Sequence, residues 1–299
     1  MSVVGVDVSA GGLSRRWVSE LASRLAGCEV VDADSRAADV EVLVVGNPPA
    51  SRLDAFPRLR FVQSVWAGPD RLAEGTVGVP VARMVAPELT EYMAEFVLMA
   101  VSMLHREAPA YRRAQAESTW QPRKAELARR RRVGVLGYGE LGRPVARLLR
   151  RVGFDVAAWA RSPRIDPIPV LCGEDGFREV LGRSDILVNV LPLTPHTRHI
   201  LDGSAFEVMP EGAGLVNVGR GAHVVEADLL DALDEGRLSE AILDVFEEEP
   251  LPAGHPFWAH PRVKVFPHVA APSEAADLAP YVADNVRRFL AGETPRFLL

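Results

Sequence analysis

The chain of 299 residues has little cysteine, almost no lysine and no long apolar run. Its two cysteines, Cys28 and Cys172, have neither disulfide nor zinc-ligand spacing, which excludes a disulfide scaffold and fits a reducing compartment. No apolar run approaches the roughly 20 residues that span a bilayer, and the first residues lack the basic start and apolar core of a signal peptide. We therefore expect a cytoplasmic protein that does not enter membranes.

The chain also lacks an excess of positive charge, since its formal net charge is −6. Lys124 and Lys264 are the only lysines, and the basic run 129–132 is short and stands alone. Such a run is more typical of a solvated loop than of a nucleic-acid site, so no nucleic-acid partner is expected. The 48% hydrophobic and 25% charged residues are ordinary for a globular protein long enough for two domains.

A glycine-rich turn is the strongest local motif that is present. An apolar strand predicted over 132–136 is followed by Gly137, Tyr138, Gly139, Glu140, Leu141 and Gly142. The first glycine permits a tight turn, the second lets the backbone approach phosphates, and the third lets the next helix pack closely. A purely structural glycine turn is the alternative. The helix predicted over 140–151 and the strand over 154–159 favour a site for a dinucleotide pyrophosphate.

The residues after that second strand predict which dinucleotide binds. Ala160 stands where an acidic residue would bond the ribose 2′-hydroxyl of NAD, and Arg161, Ser162 and Arg164 follow it. A guanidinium group suits a 2′-phosphate, and a missing carboxylate removes a repulsion. We therefore expect NADP(H) to be preferred, with NAD(H) possible. The alternative is that both arginines are only solvated loop charges.

The remaining pattern alternates strands and helices, which predicts an α/β fold with parallel sheets. Strands are predicted over 3–8, 40–45, 59–64, 79–82, 185–190, 214–218, 241–245 and 263–266. Helices are predicted over 13–25, 227–233 and 275–290, with one long helix over 87–115 that suits a bridge or a subunit interface. The last helix has no place in the nucleotide-binding sheet, so we expect it to return to a discontinuous N-terminal domain.

Four later motifs join the glycine turn in a particular order: 191–197, 215–221, 243–251 and 266–270. Together they resemble the D-2-hydroxyacid dehydrogenase family. Segments 89–98, 111–113, 120–122 and 222–226 are most similar to its bacterial glyoxylate/hydroxypyruvate reductases of the A type. The resemblance implies two Rossmann-like domains, with residues 1–94 and 269–299 forming the substrate (catalytic) domain and 95–268 the dinucleotide-binding domain. It also implies a homodimer.

The resemblance assigns three catalytic residues. Arg220 would bind the carboxylate and carbonyl of a 2-oxo acid through its fork of N–H groups. His268 would donate the proton to the carbonyl oxygen, and Glu249 would hold its ring and favour the protonated form. Each has a structural alternative: an arginine between glycines, an acidic surface turn, and a bonded core histidine.

The same resemblance assigns binding residues. Trp66, Ala67 and Gly68 would lie at the substrate carboxylate, whereas Pro69 has no N–H to offer. Trp66 either narrows the pocket or packs beneath it. The other cofactor contacts would come from Leu191, Pro192, Val218, Gly219 and Asp244, the last accepting a hydrogen bond from the nicotinamide carboxamide.

The implied activity is NADPH-dependent reduction of glyoxylate or hydroxypyruvate, small 2-oxo acids, to the D-2-hydroxy acid. One alternative keeps the fold and changes the 2-oxo acid. Another is a dinucleotide-sensing protein like the family's corepressor relatives. No metal is expected, because no cysteine or carboxylate completes a ligand set with His196, His199, His255 or His260.

Overall fold

The computed structural model describes residues 1–8, 13–73 and 78–299. The chain folds as two compact units, Met1–Leu89 with Ser273–Leu299, and Thr90–Pro272. We call them the N-terminal unit and the central unit. The roles that the sequence analysis gave to its two domains stay predictions. Among the described residues, no helix is both long enough and apolar enough to cross a bilayer.

Strands and helices alternate along most of the described chain. The strands are β1 Ser2–Asp7, β2 Cys28–Asp32, β3 Val40–Val45, β4 Phe61–Ser64, β5 Val81–Ala82, β6 Arg132–Leu136, β7 Asp155–Trp159, β8 Val170–Leu171, β9 Ile186–Asn189, β10 Ala213–Asn217, β11 Leu238–Leu243 and β12 Val263–Val265. The helices are α1 Leu13–Ala22, α2 Asp70–Ala73, α3 Pro87–His105, α4 Ala108–Ala116, α5 Gly142–Val152, α6 Gly173–Arg183, α7 Gly203–Val208, α8 Glu226–Asp234 and α9 Ala275–Leu290.

The N-terminal unit has a parallel sheet in the order β2-β1-β3-β4-β5. Its strands are buried on both faces, as in β4, where all four residues are buried although two of them, Gln63 and Ser64, are polar. Helix α9, from the far end of the chain, belongs to this unit, and the ring of Phe289 stacks on Phe61 of β4 with centroids 4.9 Å apart.

The central unit has a parallel sheet in the order β12-β11-β10-β9-β6-β7-β8. The chain runs outward from β6 to β7 and β8, then returns to β9 on the other side of β6. In such sheets the connections diverge at this reversal, and ligands bind beyond the carboxyl ends of the two strands. The predicted α/β class, with a Rossmann-like parallel sheet in each unit, is confirmed.

The long helix predicted over 87–115 is wrong in one respect, because it is two helices. Helix α3 ends at His105, and Glu107 then takes a left-handed backbone conformation with φ of 53°. Pro109 lies in the first turn of α4, where its missing N–H costs little, whereas inside a continuous helix it would remove a hydrogen bond. The apolar stripe behind the prediction ends at Leu104, so it gave no support for one helix beyond the break.

Candidate active site

Residues that the sequence analysis singled out follow six strands of the central unit. Because these strands are parallel, the segments after β6, β7, β9, β10, β11 and β12 all leave the same edge of the sheet. In that order they contain Gly137, Ala160, Leu191, Val218, Asp244 and His268, each within three residues of its strand end. The parallel topology therefore gathers residues that are far apart along the chain.

The glycine turn after β6 needs glycine for steric reasons. Gly137 has φ of 101°, and a Cβ there would lie 2.9 Å from the carbonyl oxygen of Val190. A Cβ on Gly142 would lie 1.9 Å from the carbonyl oxygen of Gly137. Apart from its two chain neighbours, no atom of the described residues would lie within 4 Å of a Cβ on Gly139, so the backbone there is open to a ligand. These are the features that a pyrophosphate site requires.

Helix α5 begins at this turn, and no side chain caps its first N–H groups. Its positive dipole end favours an anion, and the 11 residues of the helix maintain that dipole. Tyr138 is buried, while Glu140 is exposed and Leu141 half-buried. The residues present therefore fit a dinucleotide phosphate.

The segment after β7 matches the expectation for a 2′-phosphate. Ala160 is buried, and its N–H donates to the carbonyl of Leu171 at 2.9 Å. Arg161, Ser162 and Arg164 are exposed beyond it. A small apolar residue followed by two exposed guanidinium groups suits a phosphate better than a bare ribose hydroxyl.

Two further segments contain predicted cofactor contacts. After β9, Leu191 is buried and donates its N–H to the Asn189 side chain at 3.2 Å, while Pro192 is exposed. After β10, Val218 and Gly219 are buried, and the N–H of Val218 donates to the carbonyl of Asn189 at 3.1 Å. The ends of β9 and β10 are thus tied together.

His268 and Glu249 form a hydrogen-bonded pair, with Nδ1 and Oε2 2.8 Å apart. The other carboxylate oxygen of Glu249 accepts the N–H of Phe246 at 2.9 Å. Burial alone would raise the pKa of Glu249, but the hydrogen bond and charge of His268, the Phe246 N–H and the charge of Arg220 outweigh it and lower that pKa. Glu249 therefore remains a carboxylate that holds the imidazole ring.

Asp244 anchors the backbone that carries His268. Its two carboxylate oxygens accept the N–H groups of Val269 at 2.8 Å and Ala270 at 2.9 Å, and its carbonyl accepts the His268 N–H at 2.9 Å. Burial raises the pKa of this carboxyl despite those hydrogen bonds. Each carboxylate oxygen has a second lone pair, which leaves room for a hydrogen bond from a carboxamide. That bond stays a prediction.

Arg220 follows β10, and hydrogen bonds hold its backbone on both sides. Its N–H donates to Nδ1 of His223 at 3.1 Å, and its carbonyl accepts from Nδ2 of Asn217 at 3.0 Å. One guanidinium nitrogen donates to the carbonyl of Gly219 at 2.7 Å. His223, Asn189 and Asn217 were not predicted as site residues from the sequence. Asn217 and His223 each lie three residues from Arg220 in the sequence, which was a signal for these two. Asn189 lies far from Arg220 in the sequence and had no such signal.

The predicted substrate residues Trp66, Ala67 and Gly68 follow β4 of the N-terminal unit. The Trp66 N–H donates to Oγ of Ser64 at 3.0 Å, and its carbonyl accepts from Met84 at 2.9 Å. The indole is half-buried, and a Cβ on Gly46 would lie 3.3 Å from its Nε1. The tryptophan therefore packs on the Gly46 backbone, and the substrate role of the three residues stays a prediction.

The central unit thus brings a glycine-rich turn, an arginine and an imidazole–carboxylate pair to the strand ends of one parallel sheet. A family model described as "D-isomer specific 2-hydroxyacid dehydrogenase, NAD binding domain" matches residues 98–270. The glyoxylate/hydroxypyruvate reductase A of Serratia proteamaculans is 38% identical over 297 residues, which cover 94% of this chain and 93% of that relative. The chain belongs to the D-isomer specific 2-hydroxyacid dehydrogenase family.

Two solved structures agree with this assignment. A D-isomer specific 2-hydroxyacid dehydrogenase from Xanthobacter autotrophicus, in complex with NADPH and MES, is 37% identical, with a TM-score of 0.91 over 100% of this chain and 97% of that one. An NADPH-dependent glyoxylate/hydroxypyruvate reductase from Sinorhizobium meliloti, in complex with NADP and sulfate, is 34% identical, with a TM-score of 0.92 over 100% of this chain and 98% of that one. The family predicted from the sequence is confirmed.

Proposed function

We propose that this chain is an NADPH-dependent reductase that converts glyoxylate or hydroxypyruvate to the D-2-hydroxy acid. The observation that carries the proposal is the His268–Glu249 pair, which lies at the same sheet edge as Arg220 and the glycine turn. Relatives named glyoxylate/hydroxypyruvate reductase A, similar over 93% or more of this chain, support the substrate class.

Three side chains perform the proposed chemistry on a 2-oxo acid. The guanidinium of Arg220 binds the carboxylate and stabilises negative charge that develops on the carbonyl oxygen. His268, in its protonated form, donates a proton to that oxygen. Because Glu249 engages Nδ1, the proton leaves from Nε2. In the oxidative direction, neutral His268 takes the proton back.

The cofactor-binding residues are proposed in the same way. Reduced nicotinamide, when bound, supplies the hydride for the carbonyl carbon. The turn Gly137–Gly142 and the first N–H groups of α5 hold the pyrophosphate, and Arg161, Ser162 and Arg164 hold the 2′-phosphate. Leu191, Pro192, Val218, Gly219 and Asp244 line the rest of the dinucleotide site. Solved relatives that contain NADPH or NADP support this preference.

The N-terminal unit is proposed to supply the substrate contacts. The backbone N–H groups of Ala67 and Gly68 bind the carboxylate, and Trp66 borders the same loop. In this proposal residues 1–94 and 269–299 serve the substrate, and residues 95–268 serve the dinucleotide. A small pocket would favour two- and three-carbon acids over branched ones.

A panel of 2-oxo acids assayed with both cofactors tests the proposal. We expect higher kcat/KM with NADPH than with NADH, and higher with glyoxylate and hydroxypyruvate than with a branched or phosphorylated 2-oxo acid. Glycolate has no stereocentre, so chiral analysis of the glycerate formed from hydroxypyruvate tests the D configuration. Equal turnover with NADH contradicts the cofactor preference. Tight NADPH binding without turnover of any 2-oxo acid favours a dinucleotide-sensing protein instead.

The variant Arg161→Ser/Arg164→Ser sharpens the cofactor test. Loss of two guanidinium groups should weaken NADPH binding about tenfold or more, while NADH binding stays within about twofold. Fluorescence titration measures both dissociation constants. Arg129→Ser/Arg130→Ser is the matched control, because it removes two exposed arginines from a short basic turn. Equal weakening of both nucleotides would show that these arginines do not read the 2′-phosphate.

We also propose that the protein is a cytoplasmic homodimer. The two cysteines are unpaired, which fits a reducing compartment. In and after α4 the central unit exposes large apolar side chains, with 42% of Tyr111, 96% of Trp120 and 52% of Leu127 accessible. In a homodimer, a second copy of the chain would cover these apolar side chains. Light scattering should give twice the chain mass, and Trp120→Ser should shift it towards the monomer.

A further inference from the structure

Three fully buried polar side chains lie beneath Arg220 at the carboxyl ends of β9 and β10. Asn189 and His223 are 0% exposed and Asn217 is 1% exposed. Burying polar groups is unfavourable unless hydrogen bonds replace those made to water. The mechanism proposed above gives none of the three a task, so their arrangement calls for a physical reason.

The hydrogen bonds fix the protonation state of His223. Its Nδ1 accepts the N–H of Arg220 at 3.1 Å and lies 2.9 Å from Nδ2 of Asn189. A backbone N–H can only donate, so Nδ1 carries no proton and the amide of Asn189 is the second donor. The ring is therefore neutral with its proton on Nε2. Burial, together with the charge of Arg220, lowers the pKa of His223 to about 4, which agrees with this form.

The two asparagines complete the network. Nδ2 of Asn189 donates to Oδ1 of Asn217 at 2.9 Å, and the same oxygen accepts the N–H of Gly219 at 3.2 Å. Nδ2 of Asn217 donates to the carbonyl of Arg220 at 3.0 Å. The peptide groups before and after the Arg220 Cα are therefore both hydrogen-bonded to buried side chains.

Close packing restricts the same backbone. A Cβ on Gly219 would lie 3.0 Å from Nδ1 of His223, and a Cβ on Gly221 would lie 1.8 Å from the backbone of Phe246. The N–H of Phe246 in turn donates to Glu249. The main chain around Arg220 is thus fixed by the network on one side and by the segment that leads to Glu249 on the other.

We propose that His223 is a positioning residue for Arg220, acting through its unprotonated Nδ1 with Asn189 and Asn217 as partners. The inference rests on the proposed function, in which the Arg220 guanidinium binds the substrate carboxylate. The fork must keep its direction to bind a carboxylate in two places, and small misplacements of such groups reduce turnover strongly.

Two substitutions at position 223 separate this role from simple packing. His223→Leu keeps an apolar side chain of similar size but removes the acceptor, and kcat/KM for glyoxylate with saturating NADPH should fall about tenfold or more. His223→Asn places an amide oxygen near the position of Nδ1 and should retain kcat/KM within about threefold of the parent. The NADPH dissociation constant, measured by fluorescence titration, should stay within about threefold in both variants.

His260→Leu is the matched control. Its Nδ1 also accepts a backbone N–H, that of Arg262 at 3.2 Å, but it precedes β12 at the opposite edge of the sheet. It should leave kcat/KM for glyoxylate close to the parent value. Thermal unfolding of all variants identifies any that are not folded at the assay temperature.

Several outcomes would overturn the inference: parent-like kcat/KM in His223→Leu, an equal loss in His223→Asn, or a parallel loss of NADPH affinity. If His223→Leu does not fold, Asn217→Leu decides, because it keeps a side chain of similar size and removes the donor to the Arg220 carbonyl without adding charge; unchanged kcat/KM there overturns the inference. Arg220→Ala in the same assay separates the two proposals. If it is fully active, the proposed function of Arg220 fails; if it is inactive while His223→Leu is active, only the positioning role fails.

Discussion

The segments after β10 and after β12 both contain a histidine, and their environments differ. His268 is partly exposed, and its Nδ1 is hydrogen-bonded to the carboxylate of Glu249. His223 is fully buried, and its ring accepts two N–H donors, which favour the neutral form. The same residue type is thereby prepared for proton transfer at one strand end and made a fixed acceptor at the other.

The two segments also differ in the groups that hold their backbones in place. After β12, the side chain of Asp244 accepts hydrogen bonds from the backbone N–H groups of Val269 and Ala270, so that a carboxyl group fixes the segment of His268. After β10, the neutral amide of Asn217 and the neutral ring of His223 are hydrogen-bonded to the Arg220 backbone. Neutral groups therefore hold the Arg220 backbone, whereas a buried carboxyl group holds the backbone that follows His268.

The largest expected effect comes from removing the proton donor. His268→Ala should lower kcat for glyoxylate about a thousandfold, the usual contribution of a positioned general acid. NADPH affinity should be unchanged, because the imidazole is proposed to act only on the substrate. Stopped-flow absorbance and a fluorescence titration measure the two quantities. A variant with near-parent kcat would exclude His268 from the reaction.

A smaller loss is expected when charge is kept and geometry is changed. Arg220→Lys retains one positive charge but not the planar fork, and should lower kcat/KM about a hundredfold. Steady-state kinetics over a range of glyoxylate concentrations should show that KM rises. Arg237→Lys, at an arginine that donates to backbone carbonyls of 206 and 209, is the control. Equal activity of Arg220→Lys and the parent would mean that the fork is not used.

Glu249→Gln tests the charge that supports His268. The amide keeps the shape but not the negative charge, so kcat should fall by about tenfold to a hundredfold, less than for His268→Ala. In the parent, Glu249 has a pKa below its ordinary value of 4.5, so the pair persists at neutral pH and is lost as pH falls through that lowered value. Glu248→Gln is the neighbouring control. A parent-like pH–rate profile in Glu249→Gln would contradict the pairing.

The smallest expected effect is on the free energy of unfolding, and it comes from the buried His223. Its folded pKa of about 4 lies below the ordinary 6.5, so the unfolded chain binds more protons in that window. Unfolding free energy therefore falls as pH decreases from 6.5, by up to about 3 kcal/mol near pH 4. Arg220 and Arg198 are the nearby charges that oppose protonation. Denaturant unfolding should show a shallower pH dependence in His223→Leu than in the parent.

Much of the fold follows from local patterns. Strand β3 at Val40–Val45 and helix α9 at Ala275–Leu290 have the predicted bounds, because apolar periodicity and flanking turn residues lie within each element. Strand β2 at Cys28–Asp32 was not predicted. All its residues but Asp32 are half-buried, so it lacks the continuous apolar run of the central strands. The break between α3 and α4 was missed because Pro109 was not recognised as the start of a second helix.

The buried network could not be predicted in this way. Asn189 is 28 residues from Asn217 and 34 from His223 along the chain, and nothing local pairs them. They meet because β9 and β10 are neighbours in register, with Asn189 beside Asn217. Likewise His268 and Glu249 are 19 residues apart and meet only where the segments after β11 and β12 converge.

By itself, the sequence determined the α/β class and the glycine turn and predicted Arg220, Glu249 and His268 as catalytic residues, because these depend on local periodicity and on an ordered set of motifs. Only the tertiary structure decided which ring nitrogen of His223 is an acceptor, which carboxylate oxygen holds His268, and what keeps the Arg220 backbone in place. Those properties depend on burial and on donors from other strands, and such partners become neighbours only when the parallel sheet has formed.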